Sequence, residues 1–353
     1  MEISIVVCLG DRNGNNFQKL YDNIVAVMKD NFELVVVDNR TNISVSIDFT
    51  QPFITYINPG INTRQLHGRM LGFKVSHGDY IWFIDDDDEI VARPPVCNGT
   101  DIMILGTITS DTYDIQEYKI HGKCIDYTRP FVFFGAFNTW DITTCYSSQI
   151  EFQLWNKLIK RECLDKVYSA LADEDLTGVS CNEDVFITCM LPLYSTLRVV
   201  YYNACYYIYN VDSSTVSFKG KIHSVTQFLT AIYGWDKFWR LADKYLYNVT
   251  EGYQNDIWYR LHYICTCAAD DNILYECYKA LKKLTHTRNI FELMSIKQKY
   301  YNKRDMLVPL NKAVMNIKKL AKIDGYDISI KDVLNMILGG KYAEHSEANG
   351  NVL

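Results

Sequence analysis

Along the first 90 residues, continuous apolar runs alternate with segments in which apolar residues recur at helical spacing. Continuous apolar runs at residues 2–7, 33–37 and 80–84 predict three strands that are buried on both faces. Apolar residues at helical spacing over residues 17–28 and 62–76 predict helices between those strands. Strands that alternate with helices are typical of an α/β fold with a mainly parallel sheet, which binds its ligands at the carboxyl ends of the strands.

Five consecutive acidic residues, 85–89, follow the third predicted strand directly. Adjacent carboxylates repel one another, so folding is penalised unless a cation or solvent relieves the charge. No His or Cys stands beside them, and hard carboxylate oxygens suit Mg²⁺ or Mn²⁺, which complete their coordination with water and phosphate oxygens. The run therefore predicts a divalent-metal site that takes a diphosphate. A solvated turn after an edge strand would give the same pattern.

Other candidate residues stand near the ends of predicted elements. Asp38 follows the second strand, and Arg69 lies on a non-core face of the second helix, from which a guanidinium could reach a phosphate. Glu183 and Asp184 precede apolar residues at helical spacing, so their simplest role is to stabilise a helix N-terminus, worth a few tenths to about 1 kcal/mol. The acids at 173–175 lack a following core-spaced helix, and we predict a loop there.

The pattern changes from strands to helices near residue 222. Apolar residues at helical spacing predict helices over residues 225–247, 255–269, 274–284, 290–301 and 310–323. We therefore expect three parts in the chain: a sheet-containing domain over residues 1–221, a basic helical domain over residues 222–343, and a polar tail over residues 344–353.

Positive charge is concentrated in the predicted helical domain. Residues 278–323 hold twelve Lys or Arg and two acids, a net charge of +10, within a chain whose formal net charge is −6. This asymmetry predicts a polyanionic partner, either DNA or an anionic membrane surface that the protein contacts peripherally. A solvated helical face that keeps the protein soluble is the simpler alternative.

Composition indicates a cytoplasmic enzyme or binding protein rather than a secreted or membrane-spanning one. The 353 residues are 48% hydrophobic, enough for one large core and a second smaller one. Eleven cysteines are scattered without zinc or thioredoxin spacing, which favours a reducing compartment. No stretch approaches the roughly 18 apolar residues of a membrane span, and the first residues predict a strand and a turn instead of a signal peptide.

A series of sequence blocks, in order, resembles the inverting GT-A glycosyltransferases of family 2. The blocks are residues 3–7, 33–38, 58–72, 78–88, 155–161, 183–186 and 206–217. The resemblance covers roughly residues 1–220. It implies a GT-A nucleotide-diphospho-sugar transferase fold, with a Rossmann-like, mostly parallel sheet flanked by helices, followed here by the C-terminal helical domain.

The same resemblance implies a donor site for a UDP-sugar. Asp38 corresponds to the residue that contacts the base or ribose, and Arg69 to an arginine on the donor side. Asp87 is the implied direct ligand of Mn²⁺ or Mg²⁺. Asp85 is a second metal ligand or lies nearer the ribose, and Asp86 belongs to the same donor-binding run.

The resemblance also implies a catalytic base. Asp184 corresponds to the carboxylate that takes the proton of the acceptor hydroxyl as it attacks the anomeric carbon. The chain departs from the family where Arg40 replaces a small residue and Met70 replaces an asparagine, and Cys8-Leu9-Gly10 replaces a Pro-Thr-Tyr-like loop.

Three functions are compatible with these residues. The leading hypothesis is metal-dependent, inverting transfer of a sugar from a UDP-sugar to a glycan or a lipid-linked saccharide. A viral DNA-modifying glycosyltransferase that acts on a hydroxymethylated base is an alternative, and the protein would then work in the host cytoplasm, with its basic helices on the DNA phosphates. A non-catalytic nucleotide-sugar-binding protein is the third.

Overall fold

The computed structural model describes the chain in segments that together form two compact units. Described are residues 2–10, 16–40, 50–96, 99–109, 125–127, 153–179, 183–195, 197–210, 222, 224–245, 260–261, 263–295 and 310–338. The first unit takes in the described residues from 2 to 210 together with 234–245, and the second takes in the others. The predicted tail at 344–353 lies outside the described residues. The predicted boundary after residue 221 stays a prediction, and residues 234–245 belong to the first unit.

The described part of the first unit consists of nine strands and four complete helices, with the second half of a fifth helix. The strands are β1 (Ile3–Leu9), β2 (Phe32–Asp38), β3 (Ile54–Ile57), β4 (Tyr80–Asp85), β5 (Glu89–Ile90), β6 (Ile102–Thr109), β7 (Ile125–Tyr127), β8 (Lys157–Lys160) and β9 (Leu197–Tyr209). The helices are α1 (Asn16–Met28), α2 (Arg64–Val75), α3 (Arg161–Ala170), α4 (Glu183–Tyr194) and α5 (Val225–Tyr245). The predicted strands and helices of the first 90 residues are confirmed.

The strands form one mixed sheet in the order β3-β2-β1-β4-β8-β6-β9-β5, and β7 pairs with β9 beside this path. Strands β1 to β4 are parallel to one another, as the sequence predicts. Beyond β4 the pairing is antiparallel except between β6 and β9, so the sheet is less parallel than expected. Apolar periodicity identifies buried strands but carries no information about the direction of their neighbours.

The core on one face of the sheet forms between β1 and α1. The side chains of alternate residues of β1 point to the same face of the sheet, and the apolar stripe of α1 covers that face. The fully or nearly fully buried residues here include Ile3, Ile5, Val7, Leu9, Phe17, Leu20, Ile24 and Met28. The helical spacing read from the sequence therefore identifies the buried side of α1.

Helix α2 lies against the opposite face of the sheet at a very close approach. A Cβ atom added to Gly72 would lie 2.4 Å from Val6 Cγ1 and 3.1 Å from Val37 Cγ2. Since only glycine leaves room for this approach, Gly72 sets how near α2 can lie to β1 and β2. The approach also determines where the side chains of α2, including Arg69, meet the carboxyl ends of the strands.

A buried carboxylate stabilises the opposite end of the sheet. Glu33 on β2 accepts hydrogen bonds from Ser4 on β1, from the backbone amide of His77, and from the amide of Gly78 at 3.0 Å. A side chain at Gly78 is excluded, because its Cβ would lie 2.6 Å from the backbone nitrogen of Ser4. Burial raises the pKa of Glu33, but the hydrogen bonds outweigh it and hold the pKa below its ordinary value of 4.5.

The described part of the second unit is helical. It contains the first half of α5 and α6 (Asp271–Thr285), α7 (Ile290–Ser295), α8 (Leu310–Ile323) and α9 (Ile330–Leu338). Asp270 caps α6 by accepting a hydrogen bond from Ile273 N at 2.9 Å, and His286 ends the helix in the left-handed conformation. The sequence missed α9, which lies beyond the last predicted helix. No described helix is long and apolar enough to cross a membrane.

Much of the positive charge in the described part of residues 278–323 is paired within the second unit. Four cation–carboxylate contacts join Lys279 with Glu276, Lys282 with Asp324, Arg288 with Glu292, and Lys319 with Asp271. Three of these acids stand just outside the interval that was counted, so the net charge of +10 overstates the local field. The predicted polyanionic partner stays a prediction.

The Glu33 contacts predict a pH-dependent contribution to stability. We expect Glu33→Gln to lower the free energy of unfolding by about 1.5–3 kcal/mol at pH 7, the value of hydrogen bonds to a charged group. A depressed folded-state pKa stabilises the protein above the ordinary pKa of 4.5, and this stabilisation is lost as the pH falls through the folded-state value. The difference between wild type and variant should therefore shrink below pH 4.5 in urea titrations. Glu276→Gln, an exposed change, is the control, and a difference that is independent of pH would contradict the assignment.

Candidate active site

The acidic run forms a tight turn at the carboxyl end of β4. Asp88 N donates to Asp85 O at 3.3 Å, which closes the turn. The buried Asp88 carboxylate accepts from the Tyr207 hydroxyl at 2.5 Å and from Asn210 N at 2.7 Å, and Asn210 Nδ2 donates to Asp87 O at 2.8 Å. The end of β9 therefore holds the turn, and burial together with the charge of Asp85 raises the pKa of Asp88 well above its ordinary range. Asp88, which is not among the predicted ligands, holds the turn in place.

The other acids of the turn are partly exposed and point toward different partners. Asp86 Oδ2 accepts a hydrogen bond from Gly10 N at 2.8 Å, which connects the turn to the end of β1. Asp85 lies opposite Cys8 in the pairing of β1 with β4, and Asp38 lies opposite Leu9 in the pairing of β1 with β2. Asp38 and Asp85 therefore flank the end of β1, as predicted, but on opposite faces of the sheet, because neighbouring positions along a strand alternate.

Arg69 on α2 joins the acidic turn to the start of α4. Its Nη2 donates to Asp85 Oδ1 at 2.9 Å and its Nη1 donates to Glu183 Oε1 at 3.0 Å. The guanidinium is buried and also lies 5.9 Å from the centroid of the Phe83 ring. The structure thus places Arg69 beside the acidic turn, where both of its terminal nitrogens contact protein carboxylates.

Asp184 occupies the first turn of α4, as the sequence predicts. Its Oδ1 accepts a hydrogen bond from Val185 N at 2.8 Å, and the side chain is partly exposed, whereas Glu183 beside it is buried against Arg69. Burial raises the pKa of Asp184, although the Arg69 charge lowers it. The two adjacent acids therefore differ: Glu183 holds Arg69, and Asp184 presents a carboxylate of raised proton affinity.

The Asp38 carboxylate accepts hydrogen bonds from two neighbouring residues, Arg40 and Tyr56. Its Oδ1 accepts from Arg40 N at 3.0 Å and Arg40 Nε at 2.7 Å, and its Oδ2 accepts from Arg40 Nη2 at 2.7 Å and the Tyr56 hydroxyl at 2.9 Å. Two lone pairs on each oxygen allow four acceptor positions, and all four are used. The residue that departs from the family, Arg40, is therefore the one that covers the predicted base-binding carboxylate.

The predicted metal ligands suit an ion that shares its coordination with a diphosphate. Among the described residues, no three His, Cys, Asp or Glu side chains are arranged as a ligand group. Mg²⁺ and similar ions, however, commonly take only one or two carboxylates and complete their coordination with water and substrate phosphates. Asp87 and Asp85 provide two such carboxylates at one turn, and both are partly exposed. The residues therefore fit the predicted kind of site.

Sequence reasoning missed the residues that support this arrangement. Glu183 was considered only as a helix N-terminal charge, but it is a partner of Arg69. Tyr207 and Asn210 hold the acidic turn from β9, more than 100 positions away in the chain. The Tyr-rich block at 206–209 was the available signal. The acids predicted to form a loop, residues 173–175, do lie outside any helix, and Glu174 and Asp175 form ion pairs with Lys244 and Lys237 of α5.

Comparisons with known proteins agree with the N-terminal part of this architecture. Residues 4–92 match the family model for glycosyl transferase family 2. A search of curated proteins found no match to the chain.

Weak likenesses to solved structures extend over nearly the whole chain. The crystal structure of S. aureus TarS 1-349 has 13% identity and a TM-score of 0.44, with 99% of this chain and 92% of that chain covered. The same fragment in complex with UDP-GlcNAc has 13% identity and a TM-score of 0.45 over the same shares. S. aureus TarS has 11% identity and a TM-score of 0.43, with 99% of this chain and 54% of that chain covered.

The family match spans the strands and helices that build the site described above. It begins in β1, includes Arg69 on α2, and ends just past the acidic turn and β5. Residues 4–92 are therefore similar to glycosyl transferase family 2 over the elements that carry Arg69 and the acidic turn.

Proposed function

We propose that this protein transfers a sugar from a UDP-sugar to an acceptor hydroxyl, with Mn²⁺ or Mg²⁺ and with inversion at the anomeric carbon. The observation that carries the proposal is the Arg69 bridge between Asp85 and Glu183. This bridge brings the acidic turn and the start of α4, which bears Asp184, to the same edge of the sheet. The proposed acceptor is a glycan or a lipid-linked saccharide, and the proposed location is the cytoplasm.

The acidic turn is the proposed donor end of the site. Asp87 and Asp85 would hold the metal ion, which, when bound, neutralises the charge that develops on the diphosphate as the sugar leaves. Asp86 helps to orient the turn through Gly10. Arg69 keeps Asp85 in place and compensates its charge, so its proposed part in donor binding acts through Asp85.

Asp184 is the proposed general base. It accepts the proton of the acceptor hydroxyl while the oxygen attacks the anomeric carbon and the bond to the diphosphate breaks. Partial burial gives the carboxylate a raised pKa, which brings it nearer the operating pH and makes it a better proton acceptor. The Arg69–Glu183 contact fixes the first turn of α4, so the position of Asp184 relative to the acidic turn is set before substrate binds.

The donor site is tested with UDP-sugars and each metal. We expect UDP-sugars with Mn²⁺ or Mg²⁺ to raise the melting temperature of the wild type and to be slowly hydrolysed, because water replaces the acceptor. Asp87→Asn should abolish the metal-dependent part of both effects. Asp173→Asn, which changes an exposed acid of the loop at 173–175, should behave as wild type. If no UDP-sugar stabilises the wild type with either metal, the acidic run is only a solvated turn and the proposal fails.

Catalysis is separated from binding by Asp184→Asn. We expect turnover to fall by at least about 100-fold, the lower end of the contribution of a general base, while UDP-sugar affinity stays within about twofold. Calorimetry measures the affinity, and release of UDP measures turnover. Full activity in the variant would exclude Asp184 as the base. Donor binding without turnover in the wild type, across saccharide and hydroxymethylated-DNA acceptors, would instead favour a non-catalytic binding protein.

The role of Asp38 in binding the UDP-sugar is tested with variants that remove the hydrogen-bond donors now bonded to its carboxylate. Tyr56→Phe frees one acceptor position on Asp38, and Arg40→Ser frees two more and restores the small residue of the family. If the base or ribose binds Asp38, both variants should bind UDP about threefold to tenfold more tightly, the value of one hydrogen bond. Arg40→Ser should also lose about 3–5 kcal/mol of stability, since it leaves a buried carboxylate unpaired. Unchanged UDP affinity in both variants would remove Asp38 from the donor site.

A further inference from the structure

Three aromatic rings form a parallel stack beside the acidic turn. The Trp155 indole stacks on the rings of both Tyr207 and Tyr209, with centroid distances of 4.9 Å and 5.2 Å and an interplanar angle of 10° in each pair. Tyr207 and Tyr209 stand two positions apart on β9, so both can face Trp155 from the same side of the strand. We refer to Tyr207, Trp155 and Tyr209 as the aromatic stack.

The inner end of the aromatic stack is fixed to the proposed donor site. Tyr207 is completely buried, and its hydroxyl donates to Asp88 and accepts from Asp85 N at 3.3 Å. The backbone of Trp155 is held as well, because its carbonyl accepts from Trp82 Nε1 at 2.7 Å. The rings are therefore ordered before any ligand arrives, which lowers the entropic cost of using them as a contact surface.

The outer end of the aromatic stack is open. Tyr209 and Trp155 are each only half-buried, and neither the Tyr209 hydroxyl nor the Trp155 indole N–H forms a hydrogen bond with a residue that the structure describes. Buried Tyr and Trp usually find a hydrogen-bond partner, and rings with one apolar face and one open polar edge are characteristic of contact surfaces. The stack thus offers a flat face with two hydrogen-bonding groups at its edge.

The open ring also lies within the electrostatic reach of the proposed catalytic residues. Burial and the charges of Asp88, Asp85, Asp87 and Asp184 raise the pKa of Tyr209 to about 12. Tyr209 also stands between Tyr207 and Asn210 in the chain, and both of these bind Asp88, so Tyr209 lies beside the acidic turn where the donor is proposed to bind. A ring at this position is suited to contact the substrate whose hydroxyl Asp184 deprotonates.

We propose that Tyr209, supported by Trp155, is the platform on which a pyranose ring of the acceptor stacks, with the acceptor hydroxyl directed toward Asp184. This inference rests on the proposed function and names its acceptor class as a carbohydrate. A pyranose presents C–H groups on one face and hydroxyls around its rim. The C–H face of the pyranose can stack on the Tyr209 ring, and its hydroxyls can form hydrogen bonds with the Tyr209 hydroxyl and the Trp155 indole N–H.

The surrounding charge favours a carbohydrate over a nucleic acid. A hydroxymethylated base could also stack on Tyr209, but the DNA strand would bring its phosphates close to Asp184 and to the diphosphate of the proposed donor. Like charges at short range in a partly buried site are costly, whereas a neutral saccharide meets no such repulsion.

The platform is tested by direct binding on the full-length protein. Saturation-transfer NMR, in the presence of UDP and Mg²⁺, would probe methyl pyranosides and short oligosaccharides, with 5-hydroxymethyl-deoxycytidine as the competing ligand class. We expect pyranoside signals with the wild type, at least a fivefold weaker signal with Tyr209→Leu, and a retained signal with Tyr209→Phe, which keeps the ring. Tyr206→Leu is the matched control: Tyr206 is a half-buried tyrosine of the same strand, and its ring pairs with Tyr202 instead.

The outcomes separate this inference from the proposed function. Hydrolysis of UDP-sugar by water, measured on the same samples, should be unchanged in the control Tyr206→Leu, and circular dichroism checks the folding of both variants. Equal pyranoside signals in Tyr209→Leu and Tyr206→Leu, no pyranoside binding by the wild type, or binding of the nucleoside alone would overturn the platform. Pyranoside binding that depends on Tyr209, in a protein that neither binds nor hydrolyses any UDP-sugar, would support the platform and refute the proposed function.

Discussion

The site depends on the buried Arg69 guanidinium and the two carboxylates that it joins. Asp85 and Glu183 come from segments that are about 100 positions apart in the chain, and neither could lie near the other without a compensating charge. Burying an arginine is itself unfavourable unless its charge is paired, so the three groups stabilise one another only as a set. The close approach of α2 at Gly72 places Arg69 where it can do this. Removing Arg69 would leave the buried Glu183 without its ion pair and would remove the link between the acidic turn and α4.

The acidic run resolves into four different roles once its contacts are known. Asp88 is buried and holds the turn against β9, Asp86 contacts the end of β1, and Asp85 pairs with Arg69. Asp87 has a partly exposed side chain, and its carbonyl binds Asn210. Repulsion among adjacent carboxylates is thus relieved largely by the protein, through Arg69 at Asp85, Lys19 at Glu89 and several hydrogen-bond donors. A metal ion and a diphosphate would bind to the exposed atoms of the acidic run.

Differences from the family pattern concentrate on the base-binding side. Arg40 stands where a small residue is expected and forms a bidentate, buried ion pair with Asp38. A donor base that takes a single hydrogen bond gains less than the cost of breaking that pair. Where we propose that the acceptor binds, the aromatic stack is held at Tyr207 and is partly exposed at Tyr209. The carboxylate predicted to contact the base is therefore fully bonded within the protein, whereas the proposed acceptor platform is accessible.

The sequence by itself determined the strands and helices of the first 90 residues and the helical character of the part beyond residue 222. It also determined that the acids stand at the ends of strands and helices. It could do so because apolar periodicity reports burial directly. Only the tertiary structure decided that Arg69 pairs with Glu183 and that Arg40 fills the acceptor positions of Asp38. It also showed that Tyr207 holds the acidic turn and that the sheet becomes antiparallel beyond β4. Such pairings join residues far apart in the chain or depend on side-chain geometry, and hydrophobic patterning constrains neither.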